Sequence, residues 1–195
     1  MINRQKISVF LWLALMPSFA WTTDPVRKIR WDENHRLTWE YFQGAIDPNR
    51  NPNTQAVAKV MIELKTNIID FQVQFEVNSY FAKDGSWTIN TTSNHILNHE
   101  QIHFDISELF ARKLRKRLNE LQGLTHRNIQ QKVNAVYQEI LSAHDAFQQR
   151  YDRETNHSNH HRKQEEWNEM VQNLLDKYSA FANPFLTTTI DRRTN

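Results

Sequence analysis

Apolar and polar residues alternate along the first part of the chain and recur at helical spacing along the rest. Leu37, Trp39 and Tyr41 alternate with polar neighbours, as do Val60, Ile62 and Leu64. The cleanest alternation sets Ile69, Phe71, Val73, Phe75 and Val77 against Asp70, Gln72, Gln74, Glu76 and Asn78. A period of two turns one set toward a core and the other toward water, which predicts strands. Asp84-Gly85 marks a turn, after which Trp87 and Ile89 begin a further short strand. Residues 45–54, with Pro48, Pro52 and several asparagines, read as a loop between strands.

The period then changes. Ile102, Ile106, Phe110, Leu114, Leu118 and Leu121 predict an amphipathic helix over residues 94–122, with Ser93 or Asn94 as its N-cap and Gly123 just past its end. Ile129, Val133, Val136, Ile140, Phe147 and Tyr151 form the stripe of a second helix. Trp167, Met170, Val171, Leu174, Leu175 and Tyr178 mark a third, over residues 163–181, stopped by Asn183-Pro184. Strands followed by helices indicate an α+β fold, a small, mostly antiparallel sheet packed against three C-terminal helices. The reading is one domain over residues 21–186 and a loose polar tail over residues 187–195.

Residues 1–20 read as a signal peptide. Arg4 and Lys6 make a basic start, Ile7 to Met16 is an apolar run, and Pro17-Ser18-Phe19-Ala20 offers the small residues of a cleavage site. No second long apolar stretch follows, so the expectation is a secreted or periplasmic protein with no membrane span after cleavage. With no cysteine, an exported chain must hold itself by packing and by any metal it binds. The formal net charge of +2 comes down to near zero once Arg4 and Lys6 are removed, which argues against nucleic acid as a partner. The basic run Arg112, Lys113, Arg115, Lys116 and Arg117 lies toward the end of the first helix, where cations oppose the dipole. It is expected to be a solvated face, with Glu108 pairing Arg112 one turn on.

His99-Glu100-Gln101-Ile102-His103 carries the chemistry. Residues four apart share a helix face, so both imidazoles can reach one cation, and Glu100 sits about 100° round the helix, where it can touch water on that cation. A catalytic zinc takes three protein ligands and an open position. Glu139 lies beside Ile140, off the buried stripe of its helix, and is discounted. His144, on that stripe, is either a ligand or a hydrogen-bond partner behind one. His157, with its neighbours His160 and His161, falls in a polar segment between two helices from which a loop can reach the metal. Asp105 lies roughly 200° round the helix from His103 and is expected to cap a loop or orient an arginine.

At these residues the chain resembles a family of exported bacterial proteins, domain of unknown function 922, regarded as zinc-dependent peptidases. The resemblance runs through Arg36-Leu37-Thr38-Trp39-Glu40-Tyr41-Phe42-Gln43-Gly44, Ser86-Trp87, and Leu97 to Ile106 with Glu108, Ala111-Arg112 and Leu114-Arg115. It closes on Tyr151-Asp152-Arg153-Glu154-Thr155-Asn156-His157, Gln164 and Trp167. Where this chain has Ser158 the family typically has glycine, the residue that accepts positive φ. The resemblance implies that His157 is the third zinc ligand, beside His99 and His103.

The expected activity is peptide hydrolysis, with peptide or protein as substrate, Glu100 as general base and Tyr151 steadying the oxyanion or else packed in the core. A rival is a zinc-binding envelope protein without turnover, against which an intact Glu100 argues, since a structural site needs no base. A third reading is metal buffering by His157, His160 and His161, which would hold several metals weakly.

Overall fold

The structure is a computed structural model, and it describes residues 27–191. The expected signal peptide lies outside the described residues. Six strands and three α-helices follow in the order β1 (Lys28–Arg30), β2 (Ala56–Val57), β3 (Val60–Ile69), β4 (Gln72–Ala82), β5 (Trp87–Thr88), α1 (Asn94–Asn119), α2 (Ile129–Thr155), α3 (His161–Lys177) and β6 (Phe185–Thr189). This is the expected α+β arrangement, with an antiparallel sheet in the N-terminal half and three helices after it.

β4 is the centre of the main sheet. It pairs antiparallel with β3 along one edge, from Val60↔Phe81 to Ile69↔Gln72. Along the other edge it takes β1 near its end and β6 near its start. The alternation from Ile69 to Val77 therefore spans two strands, because the hairpin turns at Asp70, whose φ is +54. Val73, Phe75, Val77 and Phe81 of β4 all point to the helix side and are buried. There Val73, Phe75 and Val77 meet Ile106, Leu109, Leu114 and Leu118 of α1, and Phe81 meets Phe104, each burial contributing about 1.5–3 kcal/mol relative to exposure. β2 and β5 form a separate two-stranded ladder beside the start of α1.

α1 begins as its sequence asks. The Ser93 hydroxyl accepts from the Ile96 amide, and Gly123 takes φ +59 just past the helix end. α2 begins at the expected Ile129 and runs to Thr155; α3 is shorter than expected, giving way to a 3-10 turn at Ser179–Phe181.

Three expectations are corrected. Trp39–Tyr41 is a 3-10 turn, not a strand, and Trp39 packs on Phe42 three residues on, the neighbour such a turn supplies. The expected loose tail from Thr187 is ordered through Asp191: Thr187 to Thr189 pair with Gln74 to Gln72, and Ile190 enters the core. In the basic run, Arg112 and Arg115 are buried rather than solvated. Glu108 accepts from both, at 3.0 Å from Arg112 Nε and 2.8 Å from Arg115 Nη1, while Arg115 also donates to the carbonyls of Val77 and Phe181. Together they join α1 to β4 and to the 3-10 turn after α3.

Ile190 is 3% exposed, so Ile190→Ala should cost about 2–4 kcal/mol in urea unfolding. A loss under about 0.5 kcal/mol, the range of a surface substitution, would return the segment to a loose tail.

Candidate metal centre

His99 and His103 lie one turn apart near the start of α1, on the side that faces α2 and α3. His99 is buried and its ring stacks on Tyr151 with centroids 4.6 Å apart. Its Nδ1 donates to Gln164 Oε1 of α3 at 2.9 Å. His103 Nδ1 donates to Gln148 Oε1 of α2 at 2.6 Å. A glutamine carbonyl oxygen only accepts, so both rings carry a proton on Nδ1 and turn Nε2, the nitrogen left for a ligand role, to the same point.

Asp152 of α2 completes that point. Its Oδ1 is 3.2 Å from His99 Nε2 and 3.0 Å from His103 Nε2, and the two Nε2 atoms are 3.3 Å apart. A tetrahedral ion with bonds of about 2.0–2.1 Å holds its ligand atoms about 3.3 Å from one another. His99, His103 and Asp152 thus form the face of a coordination polyhedron and can hold a metal ion. The group is a good electrostatic match for a cation. Burial pushes the Asp152 carboxyl up, but hydrogen bonds and charge from His103 and His99 hold it well below the usual carboxylate range. Burial likewise pulls His103 down, yet the Asp152 hydrogen bond and charge, with help from Glu100 and Gln148, raise it to about 9.

The amides behind the rings are themselves fixed. Gln148 Nε2 donates to the His103 carbonyl at 2.9 Å and to His144 Nε2 at 3.0 Å. His144 Nδ1 donates to Asp145, and burial of that ring keeps its pKa low and its Nε2 free to accept. His144 is therefore a support behind Gln148. Gln164 accepts also from Tyr151 Oη, at 2.8 Å, and donates to Asn168.

Glu100 is buried beside the triangle. Its Oε2 accepts from the Ala58 amide at 2.7 Å, just past β2, while its Oε1 accepts from no group among the described residues. Glu100, the three ligand candidates and residues 54–60 line one cavity of about 400 Å³. The neighbouring motif residues hold the other side of α1. Gln101 accepts from the Leu37 amide at 2.7 Å, and Asp105 accepts from Trp31 Nε1 at 2.8 Å and from Arg36 at 3.3 Å, which is the arginine-orienting role expected for it.

The chain belongs to the family Bacterial protein of unknown function (DUF922). The match covers residues 27–161, from β1 to the first residue of α3. No curated protein and no solved structure matches the chain. In this DUF922 protein each string that carried the resemblance has a place: α1 supplies two imidazoles and a carboxylate, Arg36-Leu37 is tied to Asp105 and Gln101, and Tyr151-Asp152 lies against both rings.

Two site expectations are revised by this geometry. The atom that completes the triangle is Asp152 Oδ1, because α2 continues through Thr155 and sets Asp152 opposite α1. His157 stands at the cavity rim, with Nδ1 3.6 Å from that oxygen and outside the close-set group. Tyr151 is fully buried and does not line the cavity; its hydroxyl donates to Gln164 Oε1 and to the His99 carbonyl. Burial, offset in part by the Gln164 bond, raises its pKa and keeps the phenol protonated. His160 caps α3, and His161 stacks on His95 with centroids 3.9 Å apart, so neither reaches the triangle. Glu139 is exposed and pairs with Arg117.

Asp152 was detectable in one respect. His144, Gln148 and Asp152 recur every four residues beside the apolar stripe of α2, a polar line facing α1.

Two measurements follow from the triangle. Asp152→Ala, like His99→Ala or His103→Ala, should leave the protein without stoichiometric metal after dialysis, read by elemental analysis; retention by Asp152→Ala would remove Asp152 from the ligand set. Because His103 must lose its proton to bind, and holds it below about pH 9, metal affinity should rise by about tenfold per pH unit from pH 7 and level off above pH 9. A flat profile between pH 7 and 9 would show that the His103 proton is not displaced.

Proposed function

We propose that this protein is an exported zinc-dependent hydrolase that cleaves peptide bonds, with His99, His103 and Asp152 as ligands and Glu100 as general base. The observation that carries it is the split environment of Glu100: one carboxylate oxygen fixed by the Ala58 amide, the other unclaimed, in the cavity that the three ligand atoms share. A site built only to staple the fold needs neither a base nor a cavity.

When bound, zinc makes water acidic near neutral pH and polarises a carbonyl. The protein's residues do the rest. The Ala58 hydrogen bond fixes the plane of the Glu100 carboxylate, so Oε1 takes a proton from water as its oxygen attacks the amide carbon. Glu100 then returns that proton to the leaving nitrogen as the C–N bond breaks. Gln148 and Gln164 keep each ring in the tautomer with Nε2 unprotonated. Tyr151 acts one step back, as a positioning residue that holds Gln164 and the His99 backbone. The 54–60 segment along the cavity gives room for an extended chain, which favours peptide over a small amide.

Export rests on the leader pattern of residues 1–20, and an N-terminus near Trp21 in exported material, read by mass spectrometry, tests it. No helix among the described residues is long and apolar enough to cross a membrane.

Glu100→Gln should keep one equivalent of zinc and lose peptide hydrolysis by at least about 100-fold, measured on casein and on a peptide library. If zinc-loaded wild type cleaves neither, the rival of a non-catalytic zinc-binding envelope protein gains; if the native metal is iron, which also takes two histidines and a carboxylate, the zinc reading falls.

A further inference from the structure

Resting on the hydrolase reading, we propose that His157 is a catalytic hydrogen-bond donor, placed at the cavity rim to bind the carbonyl oxygen of the scissile amide as it becomes an oxyanion.

The need for such a donor comes from the rest of the wall. Tyr151 is turned into the helix interface. The ring N–H groups of His99 and His103 are spent on Gln164 and Gln148, and both amide hydrogens of Gln148 are spent on the His103 carbonyl and His144. Lys59, between β2 and β3, lays its stem along Gly85. His157 alone combines a place beside the triangle with a ring that makes no hydrogen bond among the described residues. Its side chain is 49% exposed, so a substrate can reach it.

The backbone holds it there at a cost. Asn156, His157 and Ser158 have φ of +48, +49 and +71, a run of left-handed residues without a glycine. Each is disfavoured relative to right-handed backbone, asparagine least. Both ends of the run are tied down. The His157 amide donates to the Asp152 carbonyl at 2.9 Å and the His160 amide to the Thr155 carbonyl at 2.8 Å. The ring of His95, one turn before His99 on α1, bonds the Ser158 carbonyl, and Ser158 itself is buried. Turning the chain left-handed over three residues buries Ser158 and leaves the intervening imidazole at the open side of the triangle. Strain of this kind persists where the surroundings over-determine it, as they do here.

A ligand role is less well served. The three close-set atoms already belong to His99, His103 and Asp152, and His157 lies outside that set. Set one step out from the ion, a ring N–H meets charge that develops only in the transition state, which is where a donor accelerates a reaction most.

The test compares His157→Ala and His157→Gln with wild type, all zinc-loaded. Zinc affinity by chelator competition should stay within about threefold, because no ligand is removed. In His157→Ala, kcat should fall about 100- to 1000-fold with KM little changed, and His157→Gln, which keeps a donor, should recover part of the loss. Binding of a phosphinic peptide, whose tetrahedral centre carries the same negative oxygen, should weaken by a comparable factor in calorimetry. Loss of zinc from His157→Ala would make the residue a ligand and overturn the proposal; so would unchanged kcat and unchanged phosphinate binding. A wild type that neither cleaves peptides nor binds the phosphinate rejects the hydrolase reading itself, and this inference with it.

Discussion

α1 is enclosed by the rest of the molecule, and a helix so enclosed must find a partner for every polar group it carries. Seventeen of its residues are buried, eight of them polar or charged between His99 and Arg115. An unmet polar group in that setting costs about 1–3 kcal/mol, more if charged. Most are met by other elements, and Glu108 is met by Arg112 and Arg115 of α1 itself. Glu100 takes the Ala58 amide beside β2, Gln101 takes the Leu37 amide, Asp105 takes Trp31, and Arg115 reaches β4 and the turn after α3. The hydrogen bonds that satisfy the helix are thus the ones that place the surrounding chain. Ser107 is the exception, its buried hydroxyl meeting no acceptor among the described residues.

The candidate metal centre follows from the same enclosure. Both imidazoles are on the most constrained element, and their tautomers are set by amides from two different helices. The carboxylate comes from α2, which packs against α1 through Tyr151, Val136 and Ile140. Burial pulls His103 down, but the hydrogen bond and charge of Asp152 outweigh it and push its pKa up to about 9. A metal ion held by His99, His103 and Asp152 would replace that proton.

Most of the fold is visible in periodicity, because burying one face demands it. The β3–β4 alternation, the three helical stripes, Ser93 as a cap and Gly123 as a stop all appear where the pattern put them. Parity hid the hairpin turn: Ile69 on β3 is in phase with Phe71 and Val73, so a two-strand unit reads as one strand. The late strand β6 was invisible for a different reason, since Thr187, Thr188 and Thr189 have high strand preference but little apolar content. At the site, the spacing of His99 and His103 reveals their common face because both lie on one helix. Asp152 joins them across a helix pair, and the only local trace of that crossing is the four-residue spacing of His144, Gln148 and Asp152. Arg112 and Arg115 were misjudged because a charge looks solvated until its buried partner, Glu108, is seen.

The edge of β4 opposite β3 is closed by segments from opposite ends of the chain, β1 at Tyr80 to Ala82 and β6 at Gln72 to Glu76. Until β6 is in place, the β4 edge from Gln72 to Glu76 has no strand partner on that side. An unpaired strand edge of this kind is a template for a strand of another chain. Proteolytic nicking near Pro184 would reopen it in the finished protein. The threonine-rich β6 thereby covers backbone groups that would otherwise be open to another chain.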